Sequence, residues 1–163
     1  ELTKRGTITQ LKALTMVCWG NSFREFKMHE GLLRRLSIDD VKELLRVKEL
    51  QGARISEAEA LLRLASPHWH YYGLFINNEL VSIATAYLKL PEVWVVGDVF
   101  TAPSYRNRGF AKAVTSAVTK DAINSGAMAM LHVLEDNDPA VRVYRRLGYV
   151  TVQVLTRLIY NPH

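Results

Sequence analysis

The sequence predicts a single domain of the α/β class. β-type apolar runs alternate with amphipathic stretches in the order strand, two helices, three strands, helix, strand, helix and a final β region. The chain has 163 residues, 48% of them hydrophobic, and is therefore long enough to bury one substantial core. No break in composition indicates a second globular unit. We expect one domain over residues 31–163.

The start of the chain is the least regular part of the pattern. Residues 1–30 are predicted to be an N-terminal extension of unclear structure, because the apolar run at residues 8–19 has no clear period. After this extension, residues 32–36 form a short apolar run typical of a strand. The domain is therefore expected to begin with this strand.

Capping signals predict the next two helices. Ser37 and Asp40 have the spacing of a capping box, and the apolar residues that follow recur on one helical face. A second helix is expected to begin at Ser56, with Glu59 in the boxed position, and to stop before Pro67.

A hairpin and a third strand are expected next. Residues 73–76 and 80–88 read as strands joined at Asn77 and Asn78, which tolerate the positive φ of a tight turn. A further strand is predicted at residues 93–101.

Glycines mark the ends of the last two helices. The remaining elements are a helix at residues 109–125, a strand at 128–134, a helix with Asp138 as N-cap and Pro139 first in it, and a β region at 149–159. Gly126 and Gly148 follow the two helices as C′ residues.

The corner between residues 99 and 111 has the character of an anion site. A strand that leads directly into a helix leaves the first backbone N–H groups of that helix unpaired at the positive end of the helix dipole. Arg106 and Arg108 add positive charge there. Gly109 lets the backbone approach a ligand closely and Ala111 keeps the next position small, so a diphosphate is the natural occupant.

A second motif lies on the short helix near the C-terminus. Asn137 directly precedes the start of this helix, and Tyr144 lies two turns along it. Both side chains carry hydrogen-bonding groups, and Gly148 fixes the end of the helix.

Together the two segments resemble the GNAT superfamily of acyl-CoA-dependent N-acetyltransferases. The first is similar to the family's pyrophosphate loop, Arg/Gln-x-x-Gly-x-Gly/Ala, and reads Arg106, Asn107, Arg108, Gly109, Phe110, Ala111. The second is similar to its Asn-x-x-Ala-x-x-x-Tyr-x-x-x-Gly-Tyr/Phe helix, and reads Asn137, Ala140, Tyr144, Gly148, Tyr149. The strong match covers residues 93–149, and a weaker one reaches back to about residue 31. Ala111 stands where a second glycine is frequent, a tolerated variant.

The resemblance implies a fold and a donor. The expected fold is a mixed central sheet with flanking helices, in which the fourth and fifth strands, residues 93–101 and 128–134, splay apart to admit the pantetheine arm. Acetyl-CoA is then the acyl donor. Its expected contacts are the backbone of Val99, Phe100 and Thr101, the loop Arg106, Asn107, Arg108, Gly109, Phe110 and Ala111, and the side chains of Asn137 and Tyr144.

The implied reaction is direct attack of an amine on the thioester. The oxyanion needs a donor, which the resemblance assigns to the backbone N–H of Val99 or Phe100. The departing thiolate needs a proton, for which Tyr144 is the natural acid. The alternative is that Tyr144 is a core residue whose hydroxyl only reaches water.

Two residues are candidates for the general base. His132 lies on the fifth strand, where some peptide N-terminal acetyltransferases of this family carry a catalytic Glu, and histidine is suited to proton transfer near neutral pH. Asp98 is the rival, either as a base acting through water or as an amine anchor. A structural histidine and a bulge-stabilising carboxylate are the respective alternatives. His68, His70 and Tyr71 are candidates for the acceptor site.

Titration energetics give one indication of the acceptor. At pH 7, a lysine-like amine costs roughly 4.6 kcal/mol to deprotonate and a terminal amine near pKa 8 about 1.4 kcal/mol. A site with no obvious Glu on its fourth strand is better suited to deprotonating the terminal amine. We therefore expect an α-amino group of a peptide or amino acid, with polyamines, lysine side chains and other small amines as alternatives.

Composition leaves a second class of function open. The net charge of +5 fits the phosphates of CoA, but it also fits nucleic acid. Arg142, Arg145 and Arg146, together with the loop arginines, form the candidate face for a catalytically inactive nucleic-acid-binding module. An inactive CoA-sensing module is the other alternative, disfavoured because Asn137 and Tyr144 are both present.

The remaining sequence features concern location and assembly. The single cysteine, Cys18, excludes an intrachain disulfide and is expected to be a buried small hydrophobe; no Cys/His spacing suggests a metal. No apolar stretch approaches the roughly 20 residues of a membrane-spanning helix, and the start lacks the form of a secretory signal. We expect a cytoplasmic enzyme without a membrane partner, and leave a homodimer open.

Overall fold

The computed structural model describes residues 6–162. The strands are β1 (Gly6–Cys18), β2 (Leu32–Arg35), β3 (His70–Ile76), β4 (Glu79–Lys89), β5 (Val93–Thr101), β6 (Met128–Leu134) and β7 (Val150–Pro162). The helices are α1 (Val41–Leu50), α2 (Glu57–Ala65), α3 (Phe110–Asn124) and α4 (Asp138–Arg146), with short 3₁₀ turns at Ile38–Asp40 and Pro103–Tyr105.

The described strands form one mixed sheet. Their order is β2-β3-β4-β5-β6-β1-β7, and only the β5–β6 pair is parallel. That pair is short, because Val93–Val95 bonds to Met128–Met130 and the two strands then part. The predictions of an α/β fold with a mixed sheet and splayed strands are therefore confirmed.

The N-terminal strand is the main departure from the sequence-based picture. Residues 1–30 are expected to be an extension, whereas the structure inserts β1 between β6 and β7. Residues 13–17 pair with strands on both sides and are buried, so both faces of this segment favour apolar residues and the alternation that reveals a half-exposed strand is missing. Residues 1–5 lie outside the described part of the chain.

Local capping and turn signals are confirmed almost throughout. The Ser37 side chain and Asp40 form the capping box, and the Ser56 hydroxyl accepts a hydrogen bond from the N–H of Glu59. Asn77 and Asn78 have φ of 49° and 66° in the β3–β4 turn. One prediction is wrong by a residue: α4 is capped by Asn137 rather than Asp138. An Asn side chain one position earlier reaches the free N–H groups equally well.

The core has two layers, one on each face of the sheet. Helices α3 and α4 pack on one face, with Leu14, Met16 and Cys18 of β1 among their partners. Helices α1 and α2 pack on the other face, against Tyr71, Leu80 and Ile83. Cys18 is fully buried, which confirms its predicted place in the core. Within residues 6–162, no helix combines the length and apolar character that crossing a membrane requires.

Candidate active site

A cavity of about 710 Å³ opens where β5 and β6 part. Its walls come from the end of β5, the loop before α3, the first turn of α3 and one side of α4. The lining residues that the sequence also predicted are Val99, Phe100, Thr101, Arg106, Asn107, Gly109, Phe110, Ala111, Asn137 and Tyr144. The splayed strands and both sequence motifs therefore meet in one place.

The start of α3 presents free donors to this cavity. Gly109 is the N-cap residue and has φ of +81°. The first intrahelical hydrogen bond runs from the N–H of Ala113 to the carbonyl of Gly109. The N–H groups of Phe110, Ala111 and Lys112 precede that bond and have no partner within the helix, which is the arrangement that binds anions.

The cationic side chains at the cavity differ partly from those expected. Arg106, Lys112, Arg142 and Arg146 line it, and no Asp or Glu does. Arg108 turns away, because it pairs with Glu30 and its guanidinium lies 4.9 Å from the Phe110 ring centroid. Its side chain is therefore not a cavity residue. Lys112 was missed, although its place in the first turn of α3, three residues after Gly109, would have revealed it.

Asn137 and Tyr144 approach the cavity from α4. Asn137 Oδ1 accepts a 3.3 Å hydrogen bond from the N–H of Ala140, so this side chain caps the helix while it lines the cavity. Tyr144 is 7% exposed, and burial raises the pKa of its phenol to about 12. Within residues 6–162 its hydroxyl makes no hydrogen bond. Tyr144 therefore stays protonated at physiological pH, as a proton donor must.

Asp98 lies at a bulge of β5 and is tightly bound. Its Oδ1 accepts hydrogen bonds from Lys48 Nζ at 2.7 Å and Gln51 Nε2 at 2.9 Å, and its Oδ2 accepts one from the Tyr71 hydroxyl at 2.9 Å. Burial alone would raise the pKa of Asp98, but these three donors and the charge of Lys48 outweigh it and hold the pKa below its usual value. Such a carboxylate is a poor proton acceptor.

His132 lies on the other face of the sheet from Tyr144. The neighbouring β6 residues Leu131 and Val133 pack in the same core layer as Tyr144, and His132 alternates with them and is exposed. Its Nδ1 lies 3.1 Å from the hydroxyl of Thr15 on β1. The last β6 residue that pairs with β5 is Met130, and His132 lies two residues further along β6. His132 therefore flanks the opening between the two strands.

Of the three candidate acceptor residues, only Tyr71 is near the bulge. His70 is buried on the α3 face, where its Nε2 lies 2.7 Å from Asp121 Oδ2, and burial lowers its pKa. His68 is exposed ahead of β3. Tyr71 bonds to Asp98 and stacks on Trp69 with ring centroids 5.9 Å apart. The α1 side of the bulge is therefore aromatic rather than histidine-rich.

Lys48 and Gln51 were not among the predicted site residues. They lie on and just after α1, about 50 residues before Asp98, and no local motif marks them. The described part of the chain contains no cluster of three or more His, Cys, Asp or Glu side chains arranged to hold a metal ion.

A mixed sheet that opens between two parallel strands, beside a cation-lined helix N-terminus, defines the class of fold used by acyl-CoA-dependent acyltransferases. A sequence profile described as "Acetyltransferase (GNAT) family" matches residues 38–149. This chain belongs to that family.

Its curated relatives fall into two groups. The mycothiol acetyltransferase of Streptomyces scabiei (strain 87.22) is 38% identical over 96 residues, which is 56% of this chain and 30% of that protein. The N-alpha-acetyltransferase RimI of Mycobacterium tuberculosis (strain H37Rv) is 31% identical over 97 residues, 58% of this chain and 60% of the relative. The matches therefore span a third to three fifths of these relatives.

Solved structures agree on the fold. An acetyltransferase of the GNAT family from Novosphingobium aromaticivorans DSM 12444 superimposes with a TM-score of 0.77 at 22% identity. The match covers 99% of this chain and 69% of that one.

Proposed function

We propose that this chain transfers the acetyl group of acetyl-CoA to a primary amine by direct attack, and that the amine is an α-amino group of a peptide or amino acid. One observation carries the donor assignment: the cavity where β5 and β6 part is lined jointly by the strand end, the α3 N-terminus and Asn137 with Tyr144. Acetyl-CoA fits this lining, because it has a thioester at one end of a long amide-bearing arm and phosphates at the other end of that arm.

The charge of the cavity supports a phosphate-bearing donor. Free N–H groups at α3 suit the pyrophosphate, and the four cationic side chains of the lining supply charge without any competing carboxylate. Arg142 and Arg146 line this same cavity. These two arginines of the candidate nucleic-acid-binding face therefore contribute positive charge to the donor site.

The chemistry divides between the two faces of the sheet. The amine nitrogen attacks the carbonyl carbon, the oxyanion forms near the backbone N–H of Val99 or Phe100, and the C–S bond then breaks. Tyr144 gives its proton to the sulfur on the α4 side. His132, on the opposite face, is placed to take the proton that the amine nitrogen loses. Asp98, already bound by three donors, has a positioning role.

The acceptor assignment rests on energetics and on one relative. The cost of neutralising an α-amine at pH 7 is about 3 kcal/mol lower than for a lysine side chain. This suits a site whose candidate bases are an exposed histidine, His132, and a carboxylate already bound by three donors, Asp98. RimI is by name an N-alpha-acetyltransferase, whereas the mycothiol acetyltransferase leaves a small-molecule amine as the alternative.

The test is a panel of acceptors assayed by CoA release at pH 7, after calorimetry has measured acetyl-CoA binding. We expect peptides with free N-termini or amino acids to react faster than their N-blocked, lysine-containing counterparts. A clear preference for lysine ε-amines or polyamines would contradict the acceptor assignment. Saturable binding without release from any amine would favour the CoA-sensing alternative. Tight, steeply salt-dependent binding of nucleic acid without acetyl-CoA binding would favour the nucleic-acid-binding module.

The cytoplasmic location stays a prediction, and the homodimer stays an open alternative. Cell fractionation of the native protein and light scattering of the purified chain test them.

A further inference from the structure

The bulge in β5 contains a backbone conformation that needs support. Gly97 pairs with Thr85 and Phe100 with Ile83, so β5 has one more residue than β4 over this interval. Asp98 lies in the extra length with φ of +52°, in the left-handed region. Residues other than glycine adopt this conformation uncommonly, Asn and Asp most readily, and contacts with the surroundings stabilise it.

The surroundings that fix it come mainly from α1. Lys48 Nζ lies 2.7 Å from Asp98 Oδ1, and the two side chains are 5% and 15% exposed. The same ammonium donates to Gln51 Oε1 at 2.7 Å, and Gln51 in turn donates to Asp98. A buried lysine is costly unless it is paired, so this contact is an unusual use of the residue. It ties a helix on one face of the sheet to the bend of β5.

The bend determines where the next backbone groups point. Directly after Asp98, Val99 packs against the α3 layer and Phe100 against the α1 layer, and both line the cavity. The N–H of one of these two residues is the donor assigned to the oxyanion. An oxyanion donor is effective only when it is held in the correct direction before the reaction begins.

We infer that Lys48 is a positioning residue for acetyl transfer: by pairing with Asp98 it holds the left-handed bend of β5, and thereby directs the oxyanion donor, the backbone N–H of Val99 or Phe100, at the thioester carbonyl. The inference rests on the proposed function. It assigns Lys48 no contact with the substrate and assigns Asp98 no proton transfer.

The first variant is Lys48→Met, which keeps the length of the side chain and removes its charge. Lys42→Met is the matched control, because Lys42 lies on the same helix and is exposed. We expect Lys48→Met to lower kcat by about tenfold or more, up to the roughly 10²–10³-fold loss that removal of an oxyanion donor causes, while calorimetry shows acetyl-CoA affinity within about threefold of the wild type. Lys42→Met should change neither.

A spectroscopic measurement tests, without turnover, whether the backbone N–H donor points at the thioester carbonyl. The infrared band of acetyl-CoA labelled with ¹³C at the thioester carbonyl should lie at lower frequency in the wild-type complex than in water, because the N–H donors polarise the bond. In Lys48→Met the band should move back toward its frequency in water. An unchanged band and an unchanged kcat in this variant, with the wild type active, would overturn the inference.

A double variant separates positioning from charge. In Lys48→Met/Asp98→Gly, glycine adopts the left-handed backbone unaided and no carboxylate is left unpaired. We expect this double variant to recover most of the wild-type kcat and the wild-type position of the infrared band. It also provides the test of the inference if the single variant fails to fold. A folded double variant with the band at its frequency in water would overturn the inference. If the wild type binds no acetyl-CoA in calorimetry, the proposed function fails first, and the two failures are thereby distinguished.

Discussion

Arg106 Nε donates a 3.1 Å hydrogen bond to the backbone carbonyl of Thr101. This contact ties the loop before α3 to the last residue of β5. The free edge of β5 and the α3 N-terminus, which would hold the two ends of acetyl-CoA, are therefore fixed relative to each other. Because the donor's sites are placed before it binds, less ordering accompanies binding.

The first prediction concerns the backbone at the start of α3. Gly109→Val should weaken acetyl-CoA binding by about tenfold or more, because a branched side chain strains a backbone with φ of +81° and its Cβ would meet Phe26 at 3.4 Å and Met28 at 3.5 Å. The first turn of α3 must then shift, and its N–H groups shift with it. Isothermal calorimetry with acetyl-CoA measures the effect.

Gly52→Val is the control for backbone strain. Gly52 has φ of +75°, and a Cβ there would meet nothing within 4 Å. Both variants should lose stability, but only Gly109→Val should lose affinity. Equal affinities for the two variants would remove the α3 N-terminus from the binding site.

The second prediction concerns proton donation. Tyr144→Phe should lower kcat by about 10²-fold and leave acetyl-CoA affinity nearly unchanged, because the hydroxyl is needed as charge develops on sulfur. With its pKa raised to about 12, the phenol should add no titration to the pH–rate profile below about pH 11. Steady-state kinetics and calorimetry measure the two effects.

Tyr149→Phe is the matched control for Tyr144. The Tyr149 hydroxyl is buried and lies 2.6 Å from the hydroxyl of Thr119, away from the cavity lining. Its loss should cost about 1 kcal/mol of unfolding free energy and leave kcat intact. If Tyr144→Phe behaves in the same way, Tyr144 is a packing residue.

The third prediction concerns acid stability. Hydrogen bonds from Arg34 at 2.8 Å, and one from the N–H of Ser37, hold the pKa of Asp40 below its usual value against the opposing effect of burial. A lowered folded-state pKa stabilises the fold above the unfolded pKa of about 3.9, and this stability is lost as pH falls through the folded value.

Asp40→Asn should therefore cost about 1–3 kcal/mol at pH 7 and reduce the loss of stability on acidification below pH 4. Urea unfolding at several pH values measures this. Asp39→Asn, at the exposed neighbouring position, should leave the pH dependence unchanged. A parallel acid transition in Asp40→Asn and the wild type would contradict the assignment.

The sequence predicted those parts of the site that depend on neighbours in the chain. Gly109 defines the start of α3 through backbone groups within three residues, so its role in local structure is visible without the fold. The start of α4 was predicted to within one residue for the same reason, with Asp138 in place of the observed N-cap Asn137. The strands on either side of the gap, Val93–Thr101 and Met128–Leu134, were predicted with their observed bounds for the same reason.

Contacts between distant segments could not be predicted in this way. Lys48 meets Asp98 only because α1 packs across the sheet onto the bulge of β5, and the pattern of α1 marks Lys48 as an ordinary surface residue. Strand β1 was missed for a related reason, since its place between β6 and β7 is determined by hydrogen bonds to strands more than a hundred residues away. The orientation of Arg108 likewise depends on Glu30.

The last prediction separates the two candidate bases. His132 lies on the α1 face of the sheet beside the gap with its ring held by Thr15, whereas Asp98 is bound by three donors and its pKa is lowered. The acid limb of kcat/KM contains one step from the amine substrate, which is protonated below about pH 8, and one step from the base of the enzyme. His132→Gln should lower kcat/KM for the amine and abolish only the step of the enzyme's base, because a glutamine amide accepts no proton.

Two further variants are compared with it. Thr15→Val, which removes only the partner of the ring, should lower kcat/KM by a smaller factor and keep both steps. Asp98→Asn should lower kcat through the backbone of β5 but keep both steps as well. Profiles measured with one α-amine from pH 5 to 9, and compared with the titration of that amine alone, decide the matter: loss of the enzyme's step in Asp98→Asn alone would assign the base to Asp98 and contradict its positioning role.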